Sequence, residues 1–159
     1  MPSASIRLIP FLAIVVGGGL LIGAANLPGN WYSGLVKPSF NPPDWLFPPA
    51  WTVLYILVAI AGWRTFQAHP RSLAMGFWYA QLALNFAWSP VMFSLHAMAL
   101  ALIIIVVLLI SILGFIFLQW PRDRTAALLF VPYAAWVSFA TLLNGALWQL
   151  NNDKYPTFS

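Results

Sequence analysis

The chain has 159 residues, of which 62% are hydrophobic and only 6% are charged. Because soluble domains average about 25% charged residues, this composition excludes a water-soluble globular protein and predicts one membrane domain over residues 1–159. The seven Lys and Arg residues are scattered, which excludes a nucleic-acid-binding face. The lack of cysteine excludes disulfides, thiolate metal sites and a cysteine nucleophile.

Five apolar segments follow one another along the chain, at about 8–25, 49–66, 73–93, 97–118 and 125–147. Each is close to the roughly 20 residues that a helix needs to cross a bilayer. Helices are expected because the backbone must satisfy its own hydrogen bonds inside lipid. The predicted fold is an all-α membrane protein, a bundle of five transmembrane helices with a structured Pro/Trp-rich first loop.

The first segment resembles a secretory signal peptide in that Arg7 precedes an apolar run ending in small residues. We interpret it as a retained helix, because the run is long for a signal core. Gly17, Gly18, Gly19 and Gly23 would let another helix approach closely, with Gly19 and Gly23 at small-xxx-small spacing.

The stretch Trp31–Tyr55 separates the first two segments and contains five prolines. Proline fixes φ and biases the preceding residue toward extended geometry, so this stretch should be stiff and irregular. Pro48 and Pro49 stand where the first turn of a helix accepts proline. We predict a structured cap that shapes the mouth of a pocket.

Basic residues predict the orientation, because cytoplasmic loops carry an excess of Lys and Arg. Lys37 and Lys154 fall on one side of the predicted bundle, and the other side receives Arg7, Arg64, Arg71, Arg122 and Arg124. The amino terminus is therefore predicted to be cytoplasmic, with the first loop and the carboxyl terminus on the opposite face.

The predicted helices differ in character. In the third, Gln81, Asn85 and Ser89 recur at i, i+4 and i+8, with Trp88 beside them. Polar side chains at membrane depth usually face the bundle interior. The fourth is almost purely aliphatic, which favours a lipid-facing or purely structural role. The fifth carries Tyr133, Trp136, Ala140 and Asn144 along one face.

Helix directions bring these faces together in the outer half of the bundle, below the proline-rich stretch. Trp136 lies deepest, and the others predicted there are Asn26, Trp51, Tyr55, Asn85, Trp88, Ala140 and Asn144. Apolar aromatic walls with a few polar groups are typical of a small-molecule site. Alternatively, Gln81 and Asn85 only bond neighbouring helices, at about 0.6 kcal/mol each, and Trp31, Trp120 and Trp148 belong to the interfacial aromatic belt.

Ordinary enzyme chemistry lacks suitable residues. Asp44, Asp123 and Asp153 all fall outside the predicted spans, so no carboxylate pair or proton relay is available in the membrane. His69 and His96 lie in loops on opposite faces and cannot share a metal ion. We therefore predict no metal site, no cofactor and no catalytic residue of the acid–base kind.

Three groups of residues occur together: Trp31-Tyr32, Leu35, Lys37-Pro38, Pro42-Pro43, Trp45, Phe47, Trp51 and Leu54-Tyr55; then Gln81-Leu82, Asn85 and Trp88-Ser89-Pro90; and finally Pro132-Tyr133, Trp136, Ala140-Thr141 and Leu143-Asn144. In this combination the chain closely resembles the tryptophan-rich sensory protein / translocator protein family, also called the peripheral benzodiazepine receptor family. The likeness covers nearly the whole chain.

The resemblance implies a five-helix bundle that forms a homodimer and binds porphyrins, notably protoporphyrin IX, and isoquinoline carboxamides. It implies a pocket closed by the first loop. The candidate ligand-binding residues are Trp31, Trp51, Tyr55, Gln81, Asn85, Trp88, Tyr133, Trp136, Ala140 and Asn144. Animal members carry a sterol-recognition segment with tyrosine and a basic residue. Residues 140–150 have neither, so we expect weak or no cholesterol binding and a bacterial member.

Three hypotheses for the function remain. In the first, the protein binds porphyrin to regulate or transport tetrapyrroles: the ring stacks on Trp51 and Trp136, Asn85 and Gln81 contact its polar groups, and its carboxylates lie near Lys37. In the second, the protein breaks porphyrin down under light, with Trp31 and Trp136 as the redox residues. In the third, it is a dimeric scaffold that pairs through the small residues Gly76, Ala80, Ala83 and Ala87.

Overall fold

The computed structural model of the chain describes residues 4–155, with side chains from Arg7 onward. Residues 1–3 and 156–159 of the predicted domain lie outside the described residues. Every element of regular structure in this range is helical, and the elements in chain order are α1 (Ala4–Leu12), a π-helical turn (Ala13–Gly17), α2 (Gly18–Ala25), α3 (Gly29–Ser33), a 3-10 turn (Asp44–Leu46), α4 (Phe47–Ala68), α5 (Leu73–Ser89), a second π-helical turn (Pro90–Ser94), α6 (Met98–Gln119) and α7 (Arg124–Asn151).

Among the described residues, four helical segments are long and apolar enough to cross a membrane: Arg7–Ala25, Asp44–Ala68, Met98–Gln119 and Arg124–Asn151. They confirm the expectation of a helical membrane bundle. The third predicted span, at 73–93, corresponds to α5, which has 17 residues, and to most of the π-helical turn that follows it. The observed ends differ from the predicted ones by at most five residues, the most at Asp44.

The helices pack in a closed ring. The rod formed by α1, the first π-helical turn and α2 contacts α4; α4 contacts α7; α7 contacts α6; α6 contacts α5; and α5 returns to α2. The core inside this ring is apolar and includes Val58, Ile105, Phe115, Phe130 and Val137. The predicted lipid-facing or purely structural role of α6 fits its exposed Ile103 and its buried Phe115, but Ile105 and Leu108 of this helix also line the cavity described below.

Polar contacts join the helices at the arginine-rich end of the bundle. The Gln119 amide donates to the Thr65 hydroxyl at 2.8 Å. Arg64 forms a two-point ion pair with Asp123, at 2.9 and 3.1 Å. Asp123 also accepts from the amide of Ala126 and so caps the amino terminus of α7. These bonds fix the α4 end against the turn between α6 and α7.

The chain between α2 and α4, residues 26–46, folds over the other end of the bundle, and we refer to it as the lid. Gly29 has a φ of +60°, which glycine adopts readily, and this residue begins the short helix α3. Tyr32 and Leu35 are buried against Leu147 and its neighbours. The Asn151 side chain accepts from the Val36 amide at 2.8 Å and donates to its carbonyl at 2.9 Å. The lid is therefore anchored to the end of α7.

Candidate functional site

A cavity of about 560 Å³ lies beneath the lid. Its walls come from α2, α4, α5, the second π-helical turn, α6 and α7, with Ile105 and Leu108 as the contribution of α6, and the lid supplies the roof through Tyr32, Asp44 and their neighbours. The volume is within the range of roughly 300–1,000 Å³ that is usual for small-molecule sites. The lid covers this end of the bundle and partly encloses the cavity.

Aromatic rings form one side of the cavity. The indoles of Trp51 and Trp136 meet at 88°, with centroids 6.4 Å apart. Phe47 contacts Trp136 edge-on at 5.9 Å, and Tyr55 stacks on Trp51 at 5.6 Å. The two tryptophans come from α4 and α7, and this pair of helices is in direct contact. The result is a corner of two perpendicular indoles that is stiffened from behind by further rings.

A hydrogen-bonded network runs from the cavity wall into the core. The Tyr55 hydroxyl donates to Asn85 Oδ1 at 3.2 Å. Asn85 Nδ2 donates to the Tyr133 hydroxyl at 2.8 Å, and that hydroxyl donates to Gln81 Oε1 at 2.8 Å. Asn85 lines the cavity wall, whereas Gln81 and Tyr133 are buried behind it. The network fixes the orientation of the Asn85 amide.

A second polar connection joins α5, α7 and α6. The Trp88 indole N–H donates to Asn144 Oδ1 at 3.0 Å, and Asn144 Nδ2 donates to the Met98 carbonyl at 3.0 Å. Both Trp88 and Asn144 line the cavity. Because each polar group already has a partner, these residues present mainly their apolar surfaces to the interior.

One donor on the wall is unsatisfied. Within the described part of the chain, Trp136 Nε1 is buried and has no acceptor, and Gln81 Nε2 behind the wall has none either. A buried donor left without a partner costs roughly 1–3 kcal/mol. Because the Trp136 nitrogen is itself buried, a molecule in the cavity cannot contact it unless the ring moves.

The lid carries the charges nearest the cavity. Asp44 is the one charged residue among the described wall residues. Lys37 donates to the carbonyls of Tyr32 and Ser33 at the end of α3, at 3.0 and 3.4 Å, and does not reach the wall. Burial, with a contribution from the Asp44 charge, raises the pKa of Tyr32. Asp44 therefore places a negative charge on the wall, while the Lys37 ammonium lies outside it, 4.8 Å from the centroid of the Tyr32 ring.

The structure brings most of the predicted site residues to this cavity. Those on the wall are Trp51, Tyr55, Asn85, Trp88, Trp136, Ala140 and Asn144. Gln81 and Tyr133 lie outside the wall, as the network above explains. Trp31 also lies outside it, because its indole stacks on His96 at 4.2 Å, at the junction of the lid and the loop that precedes α6.

Several wall residues were not identified as site residues from the sequence. Gly19, Leu20, Gly23 and Ala24 of α2 form a whole side of the cavity, and Asp44 sits at the mouth. The glycine spacing in α2 predicted a close neighbour but did not indicate that a cavity would adjoin it. Among the described residues, no three His, Asp or Glu side chains lie close enough to hold a metal ion.

Comparison with known proteins identifies the family. The model of the TspO/MBR family matches residues 10–149. Protein CrtK of Rhodobacter capsulatus is 39% identical over 92% of each chain, and the tryptophan-rich sensory protein of Cereibacter sphaeroides is 40% identical over 91% of this chain and 90% of its own. The human translocator protein is 30% identical over 96% of this chain and 91% of its own. With this match and its apolar helices, the chain is a multi-pass integral membrane protein that belongs to the TspO/MBR family.

Proposed function

We propose that this membrane protein binds a porphyrin or related tetrapyrrole in the cavity beneath the lid, as a regulator or transporter of that ligand. The enclosed cavity of about 560 Å³ with its corner of perpendicular indoles is the observation that carries the proposal. A large flat aromatic ring gains most from such walls, because burial of apolar area and specific ring geometry both contribute.

The angle between the two indoles changes how the ring would bind. Trp51 and Trp136 lie at 88° to each other, so one flat ring cannot stack on both. The sequence led us to expect that the porphyrin ring stacks on both indoles. The angle between them instead allows the face of the porphyrin to contact one indole and its edge to contact the other. Tyr55 already covers part of Trp51, so the proposed stacking surface is the open face of Trp136 or the remaining face of Trp51.

The polar groups suggest where the ligand's own polar atoms go. The indole N–H of Trp136 has no acceptor among the described residues but is itself buried, so the proposed contribution of Trp136 is its ring surface. Asn85 has both a donor and an acceptor in use, so it acts chiefly as a fixed polar wall. Ligand carboxylates would avoid Asp44, because like charges repel.

Ligand titration tests this assignment. Protoporphyrin IX is titrated into the purified chain and followed by porphyrin absorbance, with an isoquinoline carboxamide as competitor. We expect Trp136→Phe to weaken binding about three- to tenfold. Trp120→Phe is the matched control, because Trp120 lies in the turn after α6, with Arg124 over its ring, and should leave the affinity unchanged. Equal affinities for all three proteins would contradict the proposed site.

The same samples distinguish binding from light-driven breakdown. Illumination followed by chromatography should return intact porphyrin if the protein only binds it. A modified product that disappears in Trp136→Phe would instead favour the enzymatic hypothesis, since Trp136 lies on the wall. Trp31→Phe should matter less in either case, because Trp31 stacks on His96 away from the cavity.

We also propose that α5 with its π-helical turn forms a fifth span, and that the amino terminus and the arginine-rich turns face the cytoplasm. The chain has no cysteine, so single cysteines report topology without background. Ser39→Cys in the lid and Asp153→Cys after α7 should react with an impermeant maleimide from the outer side. Gln67→Cys should react only after lysis. Reaction of all three from one side would contradict this topology.

A homodimer is proposed on separate grounds. Gly76, Ala80 and Ala83 are exposed along one face of α5, and small residues allow helices to approach closely in lipid. Disulfide cross-linking of Ala80→Cys in native membranes should give a dimer, whereas Leu113→Cys on exposed α6 should not.

A further inference from the structure

A second hollow lies at the opposite end of the bundle from the lid. It has a volume of about 810 Å³ and lies between the α4–α5 turn and the region where α6 ends. Arg71 enters its lining from the first turn and Arg122 from the second. Two guanidinium groups from distant parts of the sequence therefore border the same depression.

Neither arginine forms an ion pair with a described residue. Asp123 follows Arg122 directly in the chain, but both its carboxylate oxygens are occupied by Arg64. The Arg64–Asp123 pair is the one ion pair in the described part of the chain. The other described carboxylates, Asp44 and Asp153, belong to the lid end, at the start of α4 and beyond the end of α7. The hollow thus carries two uncompensated positive charges.

The amino terminus of α5 opens into the same hollow. Ser72 caps this helix, and its hydroxyl accepts from the Met75 amide at 3.2 Å. The first-turn amides of Leu73 and Ala74 have no acceptor within the helix. Helix amino termini attract anions through such amides and through the macrodipole. The helix end and the two arginines therefore favour the same kind of ligand, a phosphate or similar anion.

The lining also has an apolar part. Leu73 and Leu118 border the hollow together with the arginines, and the Leu73 side chain is 66% exposed. Leu73 and Leu118 stand at the ends of the apolar helices α5 and α6, where the hydrocarbon region of the bilayer must begin. An ion dissolved in water would gain nothing from this surface, but a lipid would cover it with its acyl chains.

We propose that this hollow binds the phosphate headgroup of an anionic phospholipid. The phosphate lies between Arg71 and Arg122 at the start of α5, and the acyl chains run along Leu73 and Leu118. Basic pockets at the cytoplasmic edge of a helix bundle are suited to such headgroups. This inference does not depend on the porphyrin cavity, which lies beneath the lid at the other end.

Native mass spectrometry of the full chain in detergent tests the proposal with dioleoyl phosphatidylglycerol as the probe. We expect one molecule to bind more tightly than dioleoyl phosphatidylcholine by about fivefold for each arginine. The double variant Arg71→Gln/Arg122→Gln should lose this preference. Arg7→Gln/Arg124→Gln removes the same charge elsewhere on the arginine-rich side and should keep it.

Three results would overturn the proposal. Loss of the preference in both double variants would mean that general positive charge attracts the lipid. Retention of the preference in Arg71→Gln/Arg122→Gln would place the lipid elsewhere. Competition by glycerol 3-phosphate as strong as that of the intact lipid would identify a site for a soluble anion. Porphyrin affinity and melting temperature, measured on each variant, show that the fold and the lid end are intact.

Discussion

Gly19 on α2 lies directly against the phenol ring of Tyr55 on α4. A methyl group at Gly19 would overlap three ring atoms of Tyr55. Tyr55 in turn stacks on Trp51 and donates to Asn85. The contact between Gly19 and Tyr55 therefore joins α2, which the sequence did not identify as a wall, to the aromatic part of the site. The absence of a side chain at Gly19 therefore decides how closely α2 approaches the site.

We expect Gly19→Ala to push Tyr55 away and to lower stability by about 1–3 kcal/mol through overpacking. Binding of porphyrin should weaken with it, since Tyr55 lines the cavity. Gly17→Ala, in the π-helical turn next to α2, is the control, because nothing lies within 4 Å of its added methyl. The measurements are the melting temperature in detergent and a porphyrin titration. Equal losses in both variants would show that helix geometry, and not the Tyr55 contact, is responsible.

The buried network gives a second prediction. Tyr133→Phe removes the hydroxyl that joins Gln81 and Asn85 and leaves a buried acceptor and a buried donor unpaired. Stability should fall by about 1–3 kcal/mol. Tyr79→Phe makes the same chemical change on an exposed face of α5 and should leave the melting temperature unaltered. A Tyr133→Phe protein as stable as the parent would mean that the network contributes little.

Asp44 provides a prediction about ligand charge. Removing its charge with Asp44→Asn should tighten the binding of protoporphyrin IX about two- to fivefold, since repulsion of the ligand carboxylates is relieved. The dimethyl ester, which lacks those charges, should bind both proteins equally. Asp153→Asn, beyond the end of α7, serves as the matched control. The measurement is the same absorbance titration, and a gain for the ester as well would attribute the effect to packing.

The Arg64–Asp123 pair predicts a dependence of stability on pH. Burial by itself raises the pKa of Asp123, but hydrogen bonds from Arg64 and from the Ala126 amide outweigh it and hold the pKa below the ordinary 3.8. A carboxyl group whose pKa is lowered on folding stabilises the protein above its unfolded pKa. That contribution is lost as the pH falls from about 4 through the lower folded value.

Because the pair is partly exposed, its contribution should be at most about 1 kcal/mol. Melting temperatures between pH 6 and pH 3 should therefore fall slightly less steeply for Asp123→Asn than for the parent protein. Asp153→Asn should follow the parent curve. A parent and an Asp123→Asn protein with parallel curves would show that the pair has no net effect on stability.

Sequence periodicity and composition were sufficient to predict the long helices. Apolar runs of bilayer length must form helices to satisfy their backbone, so the bounds of α4, α6 and α7 were predicted to within a few residues. The spacing of Asn85 and Trp88 on α5, and of Trp136, Ala140 and Asn144 on α7, also led to the cavity, because side chains three or four residues apart share one helix face.

The other features of the site depend on contacts between segments that are distant in sequence. Helical spacing within one segment does not predict such contacts. Only the tertiary structure decided that Trp31 stacks on His96 outside the cavity, that α2 forms one wall, and that the indoles of Trp51 and Trp136 stand at right angles. The path of the lid and the rotamer of each ring follow from packing against residues far away in the chain. The sequence by itself determined a helical membrane protein, because lipid leaves the backbone few alternatives, and it predicted an aromatic site. The shape of that site is set by contacts between helices.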